Sequence, residues 1–323
     1  MVSTSLKYAP WSALLLLVSQ LSSSVSAAPL EVQKRAISSD IFNKLEFFAQ
    51  YSGAAYCPSN NDSPGSEIHC DEGNCPLIEA ADTETLTEFE NSIKTDVTGF
   101  VALDNTNKLI VISFRGSRSV RNWITNLVFP TTETTICADC KASTGFWKSW
   151  LEAEDGVRTA VTAAQAAHPD YKVVATGHSL GGALATLAAG ALRANGTNVD
   201  LYTYGSPKVG NGEFATFLSD TSKGASYRVT HRDDPVPRLP PFLLGFRHVS
   251  PEYYIDSGVE EYPTLDNIEV YDGTLNFGGS EGNIAIQVDA HRFYFGRTSA
   301  CEREEGIEIK RDEEAVRQAL EAR

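Results

Sequence analysis

The chain has no hydrophobic run long enough to cross a bilayer, and it is short of positive charge. Its longest apolar block, Trp11 to Leu21, falls below the roughly 18 residues that a spanning helix needs, so no stable membrane insertion is expected. Lys and Arg number 27 against 42 Asp and Glu, a formal net charge of −15. Phosphate binding depends on Lys and Arg, so this deficit argues against nucleic acid and strongly anionic membranes as partners. It suits an enzyme that works outside the cell on neutral or zwitterionic substrates. No repeat of fixed period is present. No His/Asp cluster suggests a metal, and no cofactor is expected. Cysteine is sparse, with six residues.

What is present begins with processing signals. Lys7, the apolar block and the small residues Ser22 to Ala28 read as a signal peptide over residues 1–27. Lys34-Arg35 reads as a dibasic site that ends a propeptide at 28–35 and leaves a mature chain of net charge about −17. Residues 36–301 then suffice for one α/β domain with a substantial core. Residues 302–323 are charged, almost without large apolar side chains, and read as a non-catalytic tail. In an exported chain the six cysteines imply disulfides, whose connectivity sequence alone leaves open. Cys137 and Cys140 lack the βαβ entry of a thioredoxin motif and read as a local staple. Cys70 and Cys75 are close enough to pair, which leaves Cys57 and Cys301 as a long-range closure. Asn61-Asp62-Ser63 and Asn195-Gly196-Thr197 match the N-glycosylation pattern.

Periodicity predicts a helix over Ile37 to Tyr56, a hairpin over Thr98 to Phe114 and a helix over Phe146 to Ala167. Further strands are expected at Val199 to Tyr204 and Tyr227 to His231. Strands alternating with helices argue for a central, mostly parallel sheet with helices on both faces. The most informative stretch is Val173-Val174-Ala175-Thr176-Gly177-His178-Ser179-Leu180-Gly181-Gly182, a strand, a sharp turn and the start of an Ala/Leu-rich helix. This is a nucleophile elbow in its required context. Ser179 must protrude from a strained turn. Gly177 and Gly181 leave room where a Cβ would strike the crossing backbones.

A serine hydroxyl needs a His to take its proton and a carboxylate to orient that His. In the α/β-hydrolase order both follow the Ser. That requirement removes His69, His168 and, by position, His231, and leaves His248 and His291 as candidate bases. His178 lies within the elbow and is expected to pack away from Oγ. The acid should end a later strand, where Asp233 and Asp234 are both available.

Several stretches together resemble the secreted filamentous-fungal class 3 lipases of the Rhizomucor/Thermomyces type: FRGSRSVRNWITNL, TGHSLGGALATLAAGALR, YGSPKVGN, THRDDPVPRLPP, SPEYYI and AHRFYFG. The likeness runs from about Ile37 to Cys301. It implies an α/β-hydrolase fold with a short helical lid, and a triad of Ser179, Asp234 and His291. It also implies the disulfides Cys57–Cys301, Cys70–Cys75 and Cys137–Cys140.

The oxyanion hole should combine Leu180, next after the nucleophile, with Ser117. The family's lid falls on the segment after Ser117, where Val120, Trp123, Ile124 and Leu127 form one apolar stripe at helical spacing. The expected function is extracellular triacylglycerol hydrolysis at a lipid–water interface by a monomeric enzyme. The nearest alternatives are a phospholipase A1 or galactolipase, or a feruloyl-esterase-like enzyme; the apolar lid favours long acyl chains over aromatic esters. A non-catalytic lipid-binding or adhesion module should have lost a triad residue, and all three are present.

Overall fold

A computed structural model describes residues 37–61, 64–89, 97–118 and 129–302, with Met1, Thr95 and Arg317. The chain divides into two units, Met1–Gln33 and Lys34–Arg323, and every element below belongs to the second. The expected signal peptide, propeptide and charged tail, and the lid stripe Val120, Trp123, Ile124 and Leu127, lie outside the described residues, apart from Met1 and the tail's Glu302 and Arg317.

Helix α1, Ser39–Ala54, begins where Ser38 Oγ accepts the Ile41 N–H at 3.2 Å, satisfying a donor that the first turn leaves free. Its buried Leu45, Phe48 and Tyr51 fall three residues apart, so one stripe meets the sheet. Phe48 packs on Tyr202 with ring centroids 4.2 Å apart. The short helix α2, Pro76–Glu79, covers the same face.

The central sheet has eight strands. In spatial order they are β1 (Thr83–Phe89), β2 (Gly99–Asp104), β3 (Leu109–Phe114), β6 (Lys172–His178), β7 (Val199–Tyr204), β8 (Ser226–His231), β9 (Glu252–Ile255) and β10 (Ile268–Tyr271). From β3 to β9 the neighbours are parallel; β1, β2 and β10 complete the edges antiparallel. A separate ribbon joins β4 (Thr131–Glu133) to β5 (Lys141–Ser143) around Cys137–Cys140.

Strands β2 and β3 are buried along their whole length because both faces are covered. Within β6, Val173 and Ala175 enter one core and Val174 the other, the alternation of a pleated strand. The first core is closed by α3 (Thr144–Ala167), α4 (Leu180–Ala194) and α5 (Gly212–Ser219), the second by α1 and α2.

Three disulfides close, Cys57–Cys301, Cys70–Cys75 and Cys137–Cys140, the expected pairs. The expected glycan acceptor at Asn61 is corrected by the fold. Asn61 is 3% exposed, and its amide nitrogen donates to the carbonyls of Ala55 (2.9 Å) and Cys57 (3.3 Å). The atom a sugar would occupy is therefore spent inside the protein. Asn195 is exposed at the C-terminal end of α4.

Candidate active site

Strand β6 delivers Ser179 at its C-terminal end, the edge where open α/β sheets bind ligands. Ser179 adopts φ 57° and ψ −127°, a conformation that costs a non-glycine residue energy and that the surrounding packing must hold. The two flanking glycines are needed sterically. A Cβ on Gly177 would sit 2.3 Å from the Gly181 carbonyl oxygen, and one on Gly181 would sit 2.1 Å from that of Phe114.

The two residues expected to bind the oxyanion lie beside the turn. Phe114 of β3 pairs with Gly177 of β6, so Ser117 and Leu180 each lie three residues past partnered positions on adjacent parallel strands. Ser117 is half-buried and Leu180 opens α4. A Cβ placed on Gly116 would lie 3.0 Å from Ser179 Cβ, which brings the end of β3 against the turn.

Strand β8 ends in the turn that carries both candidate acids, and the structure separates them. Asp234 is 2% exposed and meets His291 Nδ1 at 2.9 Å through Oδ2 and 3.1 Å through Oδ1. It also accepts the Tyr294 hydroxyl (2.6 Å) and the Val236 N–H (2.9 Å). Burial works against its charge, but the neighbouring His291 and these hydrogen bonds outweigh it and hold the carboxyl below its ordinary range. Asp233 faces elsewhere, toward Asn283 and Gln287.

His291 sits in the single-turn helix α6, Val288–Arg292. Its Nε2 is buried and makes no hydrogen bond among the described residues. A ring whose Nδ1 is fixed on a carboxylate and whose Nε2 is uncommitted is poised to accept a proton. The other candidate, His248, is placed apart from this pair. Its Nε2 donates to the Pro237 carbonyl at 2.6 Å. Burial, with Arg228 and Lys208 nearby, pushes its pKa well below the imidazole range.

His178, expected to pack away from the nucleophile, spends its ring nitrogens on Tyr56 and on the backbone of the base. Its Nε2 donates to the His291 carbonyl oxygen (2.6 Å), so Nδ1 accepts the Tyr56 hydroxyl (2.7 Å). Sequence reasoning missed Tyr56 and Tyr294. Tyr294 lies within the AHRFYFG stretch, whereas Tyr56 carries no local signal. Gly205 shapes the same spot: at φ +58°, a Cβ there would fall 2.9 Å from both Asp234 Oδ2 and His291 Nδ1.

Behind the acid turn lies a second polar group. Lys208 pairs with Glu281 (2.6 Å) and Arg228 with Glu252 (3.2 Å), all nearly inaccessible to solvent. Glu252 also accepts Thr230 and Ser280 hydroxyls at 2.6 Å each. Burial opposes its charge, yet Arg228 and those hydroxyls lower its pKa to about 2.

These buried groups set the acid stability. Burial and the adjacent His291 lower His178 from the ordinary 6.5 to about 3. Between those values the unfolded chain takes a proton that the folded chain refuses, so stability falls as pH is lowered, by about 1.4 kcal/mol per pH unit. Glu252 adds a loss of the same sign from 4.5 down to about 2. In urea unfolding, the stability lost between pH 7 and pH 5 should be about 2 kcal/mol smaller in His178→Asn than in the native protein, where His248, depressed in the same direction, also contributes. Equal losses in both would show that His178 is not the group responsible.

Comparison with known proteins agrees with this geometry. The family model for class 3 lipases matches residues 111–244, and that for the lipase 3 N-terminal region matches residues 17–87. A secreted mono- and diacylglycerol lipase of Fusarium solani is 44% identical over 84% of this chain and 81% of its own. The chain belongs to the class 3 lipase family. The crystal structure of a mono- and diacylglycerol lipase from Aspergillus oryzae superposes with TM-score 0.76 at 42% identity, covering 80% of this chain and 97% of that one. A triacylglycerol lipase described as having a serine protease triad for its catalytic centre superposes with TM-score 0.71 at 32% identity, covering 83% and 99%. The fold of this lipase is thus the α/β-hydrolase arrangement expected from the sequence, and the enzyme is a serine ester hydrolase. Among the described residues no helix is long and apolar enough to cross a membrane.

Proposed function

We propose that this lipase is exported and hydrolyses acylglycerols at a lipid–water interface as a monomer, with Ser179 as nucleophile, His291 as general base and Asp234 as the acid that orients it. The observation that carries the reading is the buried Asp234–His291 pair with Nε2 unbonded, held against the residue that precedes a strained Ser179. Nε2 takes the Ser179 proton as Oγ attacks the ester carbonyl. The backbone N–H groups of Ser117 and Leu180 receive the oxyanion, each worth about 3–4 kcal/mol to the transition state. His291 then protonates the departing alcohol, and a water activated at the same Nε2 releases the fatty acid. Catalytic hydrogen bonds to the nucleophile commonly tighten only when substrate binds, which fits a free Nε2 in the resting enzyme.

The resemblance in sequence points to triacylglycerols. The relatives of highest identity quoted above are named for mono- and diacylglycerols, which favours partial glycerides as a second reading. Initial rates on tributyrin, taken through its solubility limit, decide between interface and solution. A jump in rate when droplets appear supports the interfacial lipase, and smooth saturation below that limit identifies a soluble esterase. Emulsified diolein and triolein run in parallel separate the two glyceride readings, and a phosphatidylcholine dispersion tests the phospholipase alternative.

A further inference from the structure

We infer that Asp233, the carboxylate beside the proposed triad acid, is a positioning residue that locks the His291 segment onto the acid turn. This rests on the triad reading given above.

Asp233 has φ +67°, the left-handed region that an ordinary side chain rarely occupies. That backbone reversal sends successive carboxylates to different partners. Asp234 turns inward to His291, while Asp233 reaches the loop that leads to it. Its Oδ1 accepts the Asn283 side-chain amide at 2.8 Å, and its Oδ2 accepts the Gln287 side-chain amide at 3.1 Å. Its backbone carbonyl accepts the Gln287 N–H at 3.0 Å. One residue therefore grips Gln287 at both backbone and side chain.

Gln287 is the N-cap of α6, and His291 follows it by four residues, one helical turn. A helix this short has little stability of its own, so its orientation depends on what holds its ends. Arg238, four residues past Asp234, takes the other side of the same loop. Its guanidinium donates to the carbonyls of Asn283 and Ala285, the latter at 2.6 Å. The acid turn thus clamps residues 283–287 from both flanks of Asp234. The spacing between Asp234 and His291 is set by this outer clamp as well as by their mutual hydrogen bond. Asp233 touches neither the reacting atoms nor the site of attack, so its contribution reaches the chemistry only through the placement of His291.

The test is a donor–acceptor exchange. In Asp233→Asn, an amide nitrogen must face the amide nitrogen of either Asn283 or Gln287, and one bond is lost. Gln287→Glu alone sets two carboxylates against each other. The double variant Asp233→Asn/Gln287→Glu restores a complementary pair. On a dissolved short-chain p-nitrophenyl ester, each single variant should lose about ten-fold in kcat with little change in KM, because a misplaced base slows chemistry without altering the binding surface. The double variant should recover to within about three-fold of the native enzyme. Melting temperatures are measured for all four proteins, and Ser179→Ala and Asp234→Asn are run beside them. Single variants that keep native kcat overturn the inference, as does a loss that the exchange fails to rescue. If Ser179→Ala or Asp234→Asn retains substantial turnover, the triad reading itself has failed, and that outcome is distinct from the other two.

Discussion

Ser179→Ala should lower kcat by about a million-fold on any ester and leave the fold in place. The size follows from what serine hydrolases of other folds lose when the nucleophile is removed, since base, acid and oxyanion donors act as a unit that is useless without it. The fold survives because Ser179 Oγ is not needed as a cap, the α4 N-terminus showing no side-chain cap hydrogen bond there. Alanine shares the backbone strain of serine at φ 57°, so the melting temperature should stay close to native. The check is twofold: turnover of emulsified and dissolved esters, and labelling by a phosphonate that traps active serines. Native labelling with no labelling of the variant supports the assignment. A variant that keeps more than a thousandth of native turnover after purification from wild-type contamination would falsify it.

The second large effect is expected from Asp234→Asn, about ten-thousand-fold in kcat near neutral pH. The substitution is nearly isosteric, so the loss is a matter of proton placement. Asp234 accepts three donors: His291 Nδ1–H, the Tyr294 hydroxyl and the Val236 N–H. An asparagine has only one acceptor oxygen. Val236 offers its backbone N–H to Oδ1 and can only donate, so the amide keeps its oxygen there and sets its NH2 at the Oδ2 position, facing His291 and a Tyr294 hydroxyl that turns to accept. The ring must then accept at Nδ1 and carry its proton on Nε2, the atom that should receive a proton from Ser179. Such an enzyme binds substrate normally and reacts slowly. Unchanged KM with collapsed kcat is the expected pattern, whereas a rise in KM alone would mean that Asp234 shapes the binding surface.

How far the sequence could be read depends on whether each signal is local. The β6–Ser179–α4 unit was legible because strand, turn and helix carry their own residue chemistry within one short stretch. The hairpin of β2 and β3 and the helix α1 were legible through plain periodicity. Strands β1, β9 and β10 were not assigned. The first is rich in Thr and Glu, and the other two have only four residues each. The choice of acid and base was local nowhere. Asp233 and Asp234 are neighbours in one turn, and a positive φ alone sends them apart. His248 and His291 both follow the nucleophile; their residue chemistry left both open, the family resemblance implied His291, and in the structure His248 lies by Lys208 and Arg228 while His291 meets Asp234. The Asn61 sequon failed for the same reason, since a three-residue pattern says nothing about the carbonyls of Ala55 and Cys57 that close over it.

The support of His291 draws on the whole length of the domain. Tyr56 at the end of the first helical segment bonds His178 in the middle of the chain, and His178 bonds the backbone of His291 near its end. The residue next to Tyr56, Cys57, is tied to Cys301 across 244 positions. No nascent or truncated fragment can hold this arrangement, even after its sheet has collapsed. If the proposed triad holds, a newly made chain should stay inactive toward esters until the segment that carries His291 and Cys301 has joined the rest. Turnover, measured during refolding, reports the final act of assembly and nothing earlier.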